Sequence, residues 1–521
     1  MEKTSAITST EKNRTLPSSG LMLAWCLAAA AFLLQMLTNG GYGYFRDELY
    51  YIALSNHLAA GYVDLAPLAA WVLRLSRLVF GNSLHAIRFL PALANGAEVL
   101  FTGLITRELG GRRFAIFLAC LSVLVAPVVL VNGNRFSMNA FEPLFWMGCV
   151  YFVLRAINEN EPGHLVWCGV LLGFGLENKH STVFFLVSLT VGMLISSQRK
   201  WFGSKWFWIC AGIALLISLP NLIWQYQHHF PTLEDLENVR RTHKNVELPP
   251  LPFLGQQIMM LSPVSVLVWT PGVAYLLFHR QGKRYRWLGA TFIVFFLVMM
   301  ELHAKDYYLA PIYPLVFAAG GAFWEGIGQG CKVRRWLEVG LAALVFAGGA
   351  LAAPMVVPIL PVEKVPQYME SLGVKTPRTE VHHSGLLPQH FGDEFGWPEM
   401  VQAVAGVYNA MPAPVREKTA ILAGNYGEAG AIDFFGGKYG LPKAISAHQN
   451  YYYWGPRNYT GESLILLQWD IDDAKDWCWS VDKGPRLDPP YAMDEERYTV
   501  LICHGFRKPL AELWPRLKHW N

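Results

Sequence analysis

The sequence predicts a polytopic α-helical membrane protein that ends in an extracytoplasmic α/β domain. Three observations carry this. The 521 residues are 53% hydrophobic and only 16% charged, against roughly 25% charge in soluble domains. The charge deficit is confined to the first two-thirds, where apolar runs recur at close to the roughly 20 residues that cross a bilayer. The remainder, 359–521, alternates short apolar runs with Gly-rich turns.

Taken in order, the predicted spans are roughly 21–40, 84–106, 113–132, 140–157, 163–177, 181–197, 206–224, 255–278, 287–302, 307–325 and 336–358, about eleven in all. The fifth and sixth are short enough to form one re-entrant hairpin. The first is a retained span rather than a cleaved signal: its apolar core is long, and no small-x-small site precedes Tyr42. With the N-terminus inside, the cytoplasmic segments hold Lys3, Lys12 and Arg14; Arg107, Arg112 and Arg113; Arg155; Arg199, Lys200 and Lys205; Arg280, Lys283, Arg284 and Arg286; and Lys332, Arg334 and Arg335. That bias is the positive-inside pattern. An odd span count then puts 359–521 outside, with loops 41–83 and 225–254. A formal net charge of +4 and the lack of a basic, aromatic-laced patch argue against a nucleic-acid partner.

In the tail, "EKTAILAGNYGEAGAIDFFGGKYGLPKAISAHQ" reads as strand, turn, helix and second strand, and "ESLILLQWD" and "RYTVLICHGF" as further strands. "GNYGEAG" has the spacing G-x-x-G-x-x-G, so it is a turn entering a helix and not a dinucleotide fingerprint. Cys26, Cys120, Cys149, Cys168, Cys210 and Cys331 lie in or beside apolar runs as small packing residues. Cys478 and Cys503 either pair as a disulfide, which an outside location permits, or stay as two unpaired structural cysteines.

The outside face gathers the unusual polar residues. Loop 41–83 brings Asp47, Glu48 and Asp64, and the turns bring Arg135, Asn139 and Glu142, then Glu177, Lys179 and His180, then Lys305. Ionisable residues at a bilayer edge are costly and are kept for function. On a helix, adjacent Asp47 and Glu48 point about 100° apart, so only one need face a cavity. A carboxylate there suits a general base that takes a proton from an acceptor hydroxyl or amine. Solvated acids at a helix start are the plainer reading. Acids on this face are also candidates for holding a divalent cation. Arg135, Lys179 and Lys305 suit a phosphate leaving group whose charge grows as its bond breaks, or are snorkelling anchors. Base, phosphate cluster and membrane depth together suggest a lipid-phosphate donor.

The stretches "FRDELYYIALSNHLAAGYVDLAPL", "NRFSMNAFEPLFW", "LLGFGLENKHS", "LPNLIWQYQHHFPT" and "KDYYLAPIYP" make the chain resemble the GT-C membrane glycosyltransferases, in the bacterial branch related to protein O-mannosyltransferases and the lipid A aminoarabinose transferase. The resemblance implies a GT-C transferase domain over 1–358 with loop 41–83 as its catalytic outer loop, followed by a periplasmic domain over 359–521. It implies a bacterial inner-membrane enzyme, among membrane lipids. The sugar would move with inversion from a polyprenyl-phosphate donor to a lipid, glycan or protein acceptor. Asp47 matches the catalytic acid, with Glu48 beside it. Asp64 matches a second acid before a Pro-Pro pair, one proline of which is here Ala66. Asn139 stands where an aspartate is usual, with Glu142 one turn on as a second acidic site. Lys305, Tyr307 and Tyr308 match positions that meet the donor's phosphate and lipid, and Arg135 and Lys179 join Asp64 as donor-binding candidates. The rivals are a transporter or flippase of a lipid-linked sugar and a glycan-binding receptor. The former would show internal repeats and midplane charges, and the latter would not need acids and bases in the membrane turns.

Overall fold

The computed structural model describes residues 18–520 apart from 328–332, 377–379 and 382–383. Cys331 and the basic residues Lys3, Lys12, Arg14 and Lys332 lie outside the described residues. Five helices are long and apolar enough to cross a membrane: Gly20–Thr38, Phe89–Glu108, Met138–Glu159, Lys205–Gln227 and Arg334–Met355. Three bent pairs bring the number to at most eight by that measure, where the sequence predicts about eleven spans. The difference has local causes. The stretch read as 113–132 breaks into Arg113–Leu124 and Pro127–Gly133, bent by 64°, with Pro127 opening the second piece. The stretch read as 255–278 breaks at Pro263 into two helices bent by 101°, and Ser262 takes a positive φ at the joint. The stretch read as 307–325 opens as a 3-10 turn over Asp306–Ile312 before the helix Tyr313–Gly326. That helix and Leu165–Asn178 have 14 residues each, about 21 Å at 1.5 Å per residue.

Burial sorts the helices. Phe89–Glu108 and Met138–Glu159 are 61% and 67% buried, and the other three long ones 22–28%. The first pair is therefore the interior of the bundle, and its N-terminal ends set where loop residues converge. Loop 41–83 forms two further helices, Arg46–Asn56 and Leu68–Phe80. The first is buried nearly throughout. The second buries Ala69, Ala70, Leu73 and Ser76 and exposes Trp71, Leu75, Leu78, Val79 and Phe80, the amphipathic character of a helix lying in a membrane interface.

All named strands lie in the tail. They are β1 (Thr419–Leu422), β2 (Ser463–Leu466), β3 (Val481–Arg486) and β4 (Thr499–Cys503), in the order β1-β2-β4-β3. β1 and β2 run parallel, and β4 is antiparallel to both β2 and β3. The expected second strand near 445 is a single bridge, Leu422 to Ile445. Between β1 and β2 runs the helix Tyr426–Phe435, capped by Asn425, whose side chain accepts from the amides of Gly427 and Glu428. The glycines of "GNYGEAG" therefore have a packing reason. A Cβ at Gly430 would stand 2.8 Å from the backbone of Leu49, and one at Gly427 2.6 Å from Arg46 Cγ. This helix lies directly on Arg46–Asn56, so the tail closes over loop 41–83. Cys478 and Cys503 are joined as a disulfide across 25 residues. Cys120, Cys149, Cys168 and Cys210 are buried free thiols, and Cys26 is exposed.

Candidate active site

The helix Arg46–Asn56 starts with two acids in its first turn, where the exposed amides favour negative charge. Their side chains diverge. Glu48 turns into the protein, where its carboxylate accepts from Arg88 Nε and Nη2 at 2.7 Å each, from the amide of Phe136 at 2.7 Å and from that of Phe45 at 2.9 Å. It pairs with Arg88 and not with its neighbour Arg46, which bonds to Glu495 of the tail. Asp47 turns the other way and lines a cavity of about 240 Å³.

That cavity is walled by the first loop (Phe45, Arg46, Asp47), the turn before Met138 (Arg135, Ser137), Asn139 in the first turn of the helix Met138–Glu159, Lys244, Lys305 and Tyr307, and the tail (Glu380, Gln389, His390, Asp393, Tyr426). Four bases face three carboxylates there. Asp47 Oδ1 accepts from the Tyr426 hydroxyl at 2.9 Å. Lys305 Nζ is 2.7 Å from Glu380 Oε1. Burial pulls the Lys305 ammonium down, but the phenol of Tyr307 and the Glu380 carboxylate outweigh it, and the group stays charged. Burial, with Arg135 adding repulsion, drives His390 down to about 3, so this imidazole is neutral. Arg135 is the unusual member. It is 5% exposed, its guanidinium lies 4.9 Å from the Phe45 ring centroid, and its Nε and Nη2 have no hydrogen-bond partner among the described residues. A buried guanidinium left so costs stability unless something anionic completes it.

Of the residues the sequence singles out, Asp47, Arg135, Asn139, Lys305 and Tyr307 meet in this cavity. Lys179, Glu142 and Tyr308 form a layer beside it. Lys179 Nζ is 3.0 Å from Glu142 Oε2 and 2.9 Å from Asn139 Oδ1, and lies 4.1 Å from the Tyr308 ring centroid. Ser181 also donates to Glu142. Asp64 lies apart from the cavity wall and accepts from Tyr50 Oη at 2.9 Å. Burial, with Asp235 adding repulsion, pushes the Asp64 carboxyl up to about 7.

The carboxylates of Glu48 and Glu142 are both taken by bases and do not converge with Asp47 as a cation cage. Among the described residues the one group spaced for a metal is Glu159, Glu161 and His164, at the other end of the helix Met138–Glu159. Tyr426, Lys244, His390 and Asp393 were not singled out in the sequence. Tyr426 is 379 residues from Asp47, and its motif reads locally as a plain turn, so no local signal marks it.

The fold superposes on that of crystal structures of ArnT from Cupriavidus metallidurans, in the apo state and bound to undecaprenyl phosphate. TM-scores are 0.60 and 0.61 at 12% identity, over 93% of this chain and 98% of that one. The fold is that of the GT-C membrane glycosyltransferases. Residues 64–224 match the family model of dolichyl-phosphate-mannose-protein mannosyltransferase, an interval that holds Asp64, Arg135, Asn139, Glu142 and Lys179. The lipid A galacturonosyltransferase RgtD of Rhizobium johnstonii is 22% identical over 297 residues, 56% of this chain and 62% of the relative. The undecaprenyl phosphate-alpha-4-amino-4-deoxy-L-arabinose arabinosyl transferase of Edwardsiella ictaluri is 24% identical over 370 residues, 64% of this chain and 65% of the relative. The chain thus spans less than two-thirds of the length of these GT-C relatives.

Proposed function

We propose that the protein is an inverting glycosyltransferase that moves a sugar from a polyprenyl-phosphate donor to a lipid or glycan acceptor at the outer face of the bacterial inner membrane. The observation that carries this reading is Arg135: a buried, incompletely bonded guanidinium on the same cavity as the Asp47 carboxylate. A donor of this class is in the name of the Edwardsiella ictaluri transferase, and undecaprenyl phosphate is bound in one of the ArnT crystal structures. In the reaction, Asp47 takes the proton of the acceptor hydroxyl as its oxygen attacks the anomeric carbon. The bond from that carbon to the phosphate oxygen breaks on the opposite side, which inverts the centre. The departing lipid phosphate gathers charge, and Arg135 and Lys305 meet it. Segment 1–358 holds this chemistry with its N-terminus inside, and 359–521 lies outside as a lid domain. The disulfide between Cys478 and Cys503 supports an oxidising location for it.

The test is incubation of purified protein with a panel of radiolabelled polyprenyl-phosphate sugars. Release of polyprenyl phosphate with transfer to an acceptor is expected for one of them. Movement of intact donor across vesicles without cleavage would overturn the transferase reading in favour of a flippase. A periplasmic reporter fused after residue 521 is expected to be active; activity of a cytoplasmic reporter alone would reverse the topology.

A further inference from the structure

A second cavity, of about 310 Å³, opens in the tail at the carboxyl ends of the parallel strands β1 and β2. Open α/β sheets bind ligands in the crevice outside the carboxyl ends of their strands. Here the chain leaves β1 for the helix Tyr426–Phe435 and leaves β2 for the helix Ile471–Trp477. The walls include Trp469, Trp477, Asp470, Asp473 and Gln468. The two indoles meet edge to face with ring centroids 6.1 Å apart. Asp473 and Trp477 are four apart on one helix and so share a face. Asp470 uses one oxygen to cap that helix, accepting from the amide of Asp472. Asp473 makes no hydrogen bond among the described residues and is exposed.

Gln468 is held in the left-handed region at φ 57, a conformation that costs energy for a residue with a Cβ. Both ends of its amide are fixed. Its oxygen accepts from Asn425 Nδ2 at 2.9 Å, and its Nε2 donates to the carbonyl of Glu495 at 3.3 Å. The crevice is therefore built from both strand ends and is not a gap between mobile loops.

The crevice adjoins the active-site cavity. His519 on its wall stacks on His448 at 4.8 Å, and His448 stacks on Tyr426 at 5.0 Å. Tyr426 donates to Asp47. Two ring-to-ring contacts and one hydrogen bond thus link a tryptophan-walled acidic crevice to the carboxylate assigned as base.

We propose that this crevice is a carbohydrate subsite that holds an inner sugar of a glycan acceptor, an inference that rests on the transferase reading for its role but not for binding itself. A pyranose has an apolar face of C–H groups and a rim of hydroxyls. Indole faces cover the first, and carboxylate and amide groups converging on a concave pocket serve the second. The two aspartates select neutral or amino sugars and repel uronic acids and phosphates.

The test is isothermal titration of the full-length protein in nanodiscs with neutral, amino-sugar and uronic-acid tetrasaccharides: chitotetraose, maltotetraose, a glucosamine tetramer and oligogalacturonate. Binding of at least one neutral or amino tetrasaccharide is expected, with none for oligogalacturonate. Trp477→Ala should weaken it by about tenfold or more, the scale for an aromatic anchor, and the exposed change Asp473→Ala should weaken it without a risk to folding. Asp47→Asn should bind the glycan as the parent does, which separates this subsite from the base assignment. No binding across the panel would overturn the proposal. So would binding unaffected by both Trp477→Ala and Asp473→Ala, or binding of a lysine-rich control peptide in place of every sugar.

Discussion

Arg88 grips Glu48 through two hydrogen bonds of 2.7 Å, and neither side chain has any solvent exposure. The same guanidinium donates to the carbonyls of Asn39 and Gly43, and the same carboxylate accepts from the amides of Phe45 and Phe136. The pair therefore ties the end of the first long helix, the start of the outer loop and the turn that carries Arg135. Glu48→Gln leaves a buried cation short of charge, with only Glu394 at 3.7 Å. A loss of about 3–5 kcal/mol is expected, the scale for breaking one side of a buried pair. It will be seen as a lower melting temperature and poor recovery of folded protein. Unchanged thermal stability would show that Glu48 has no such structural role.

Asp47→Asn keeps the side-chain shape and the acceptor oxygen for Tyr426 but removes the basicity. Donor affinity should persist and turnover at saturating donor should fall by about a hundredfold or more, the general-base contribution. A near-normal rate would remove Asp47 from the base role.

Arg135→Ala should separate binding from folding. The guanidinium is buried and its Nε and Nη2 are unpartnered among the described residues, so its loss should leave the melting temperature unchanged or raise it. Donor affinity should drop by about ten- to a hundredfold, the value of hydrogen bonds to a charged group. Arg135→Lys should restore only part of it, because an ammonium cannot fork two phosphate oxygens. Lys305→Ala, by contrast, removes a buried ammonium that sits 2.7 Å from Glu380, and should cost stability as well. Equal donor affinity in Arg135→Ala and the parent would leave Arg135 as an anchor only.

Asp64 predicts a pH effect. Its folded carboxyl is pushed up to about 7 by burial and then by Asp235, from an ordinary value of about 3.9. Folding therefore takes up a proton between those values, and the stability so contributed is present at low pH and lost as pH rises through about 7. Asp64→Asn keeps an acceptor for Tyr50 and removes the titration. Its melting temperature should exceed the parent's at pH 8 by about 2–4 °C per kcal/mol regained and converge with it near pH 4. A constant offset across that range would refute the buried-carboxyl account.

The disulfide between Cys478 and Cys503 closes a 25-residue loop, worth about 3.5 kcal/mol on the chain-entropy model. Cys503→Ser should lower the unfolding temperature of the tail, followed by tryptophan fluorescence, with little effect on the bundle. A mass increase of about 2 Da on reduction, with unchanged stability, would confine the bond to a passive role.

Much of the molecule is written locally. Long apolar runs separated by basic turns specify a helical membrane protein because every backbone group in lipid must be bonded within its own helix. The acid pair at positions 47 and 48, the bases at 135 and 305, and Asn139 were legible as candidates, since costly polar residues at a bilayer edge stand out against an apolar background, while Tyr307 came from the family resemblance. "GNYGEAG" likewise read as a turn entering a helix, and Asn425 caps that helix in the structure.

What the chain could not decide alone is partnership. Asp47 and Glu48 are neighbours of the same chemistry; only the placement of Arg88, 40 residues on, sends one inward and leaves the other on the cavity. Lys179 and Arg135 looked alike as cations, yet Glu142 pairs with the first, while Nε and Nη2 of the second have no hydrogen-bond partner among the described residues. Cys478 and Cys503 carried two readings until the sheet brought them together. Tyr426 entered the site because Gly427 and Gly430 let its helix pack closely on Arg46–Asn56. Periodicity and polarity are properties of a segment, so the sequence carried most of the helices and the candidate acids and bases. Charge pairing, burial and close packing are properties of segments far apart in the chain, and the tertiary structure alone fixed them.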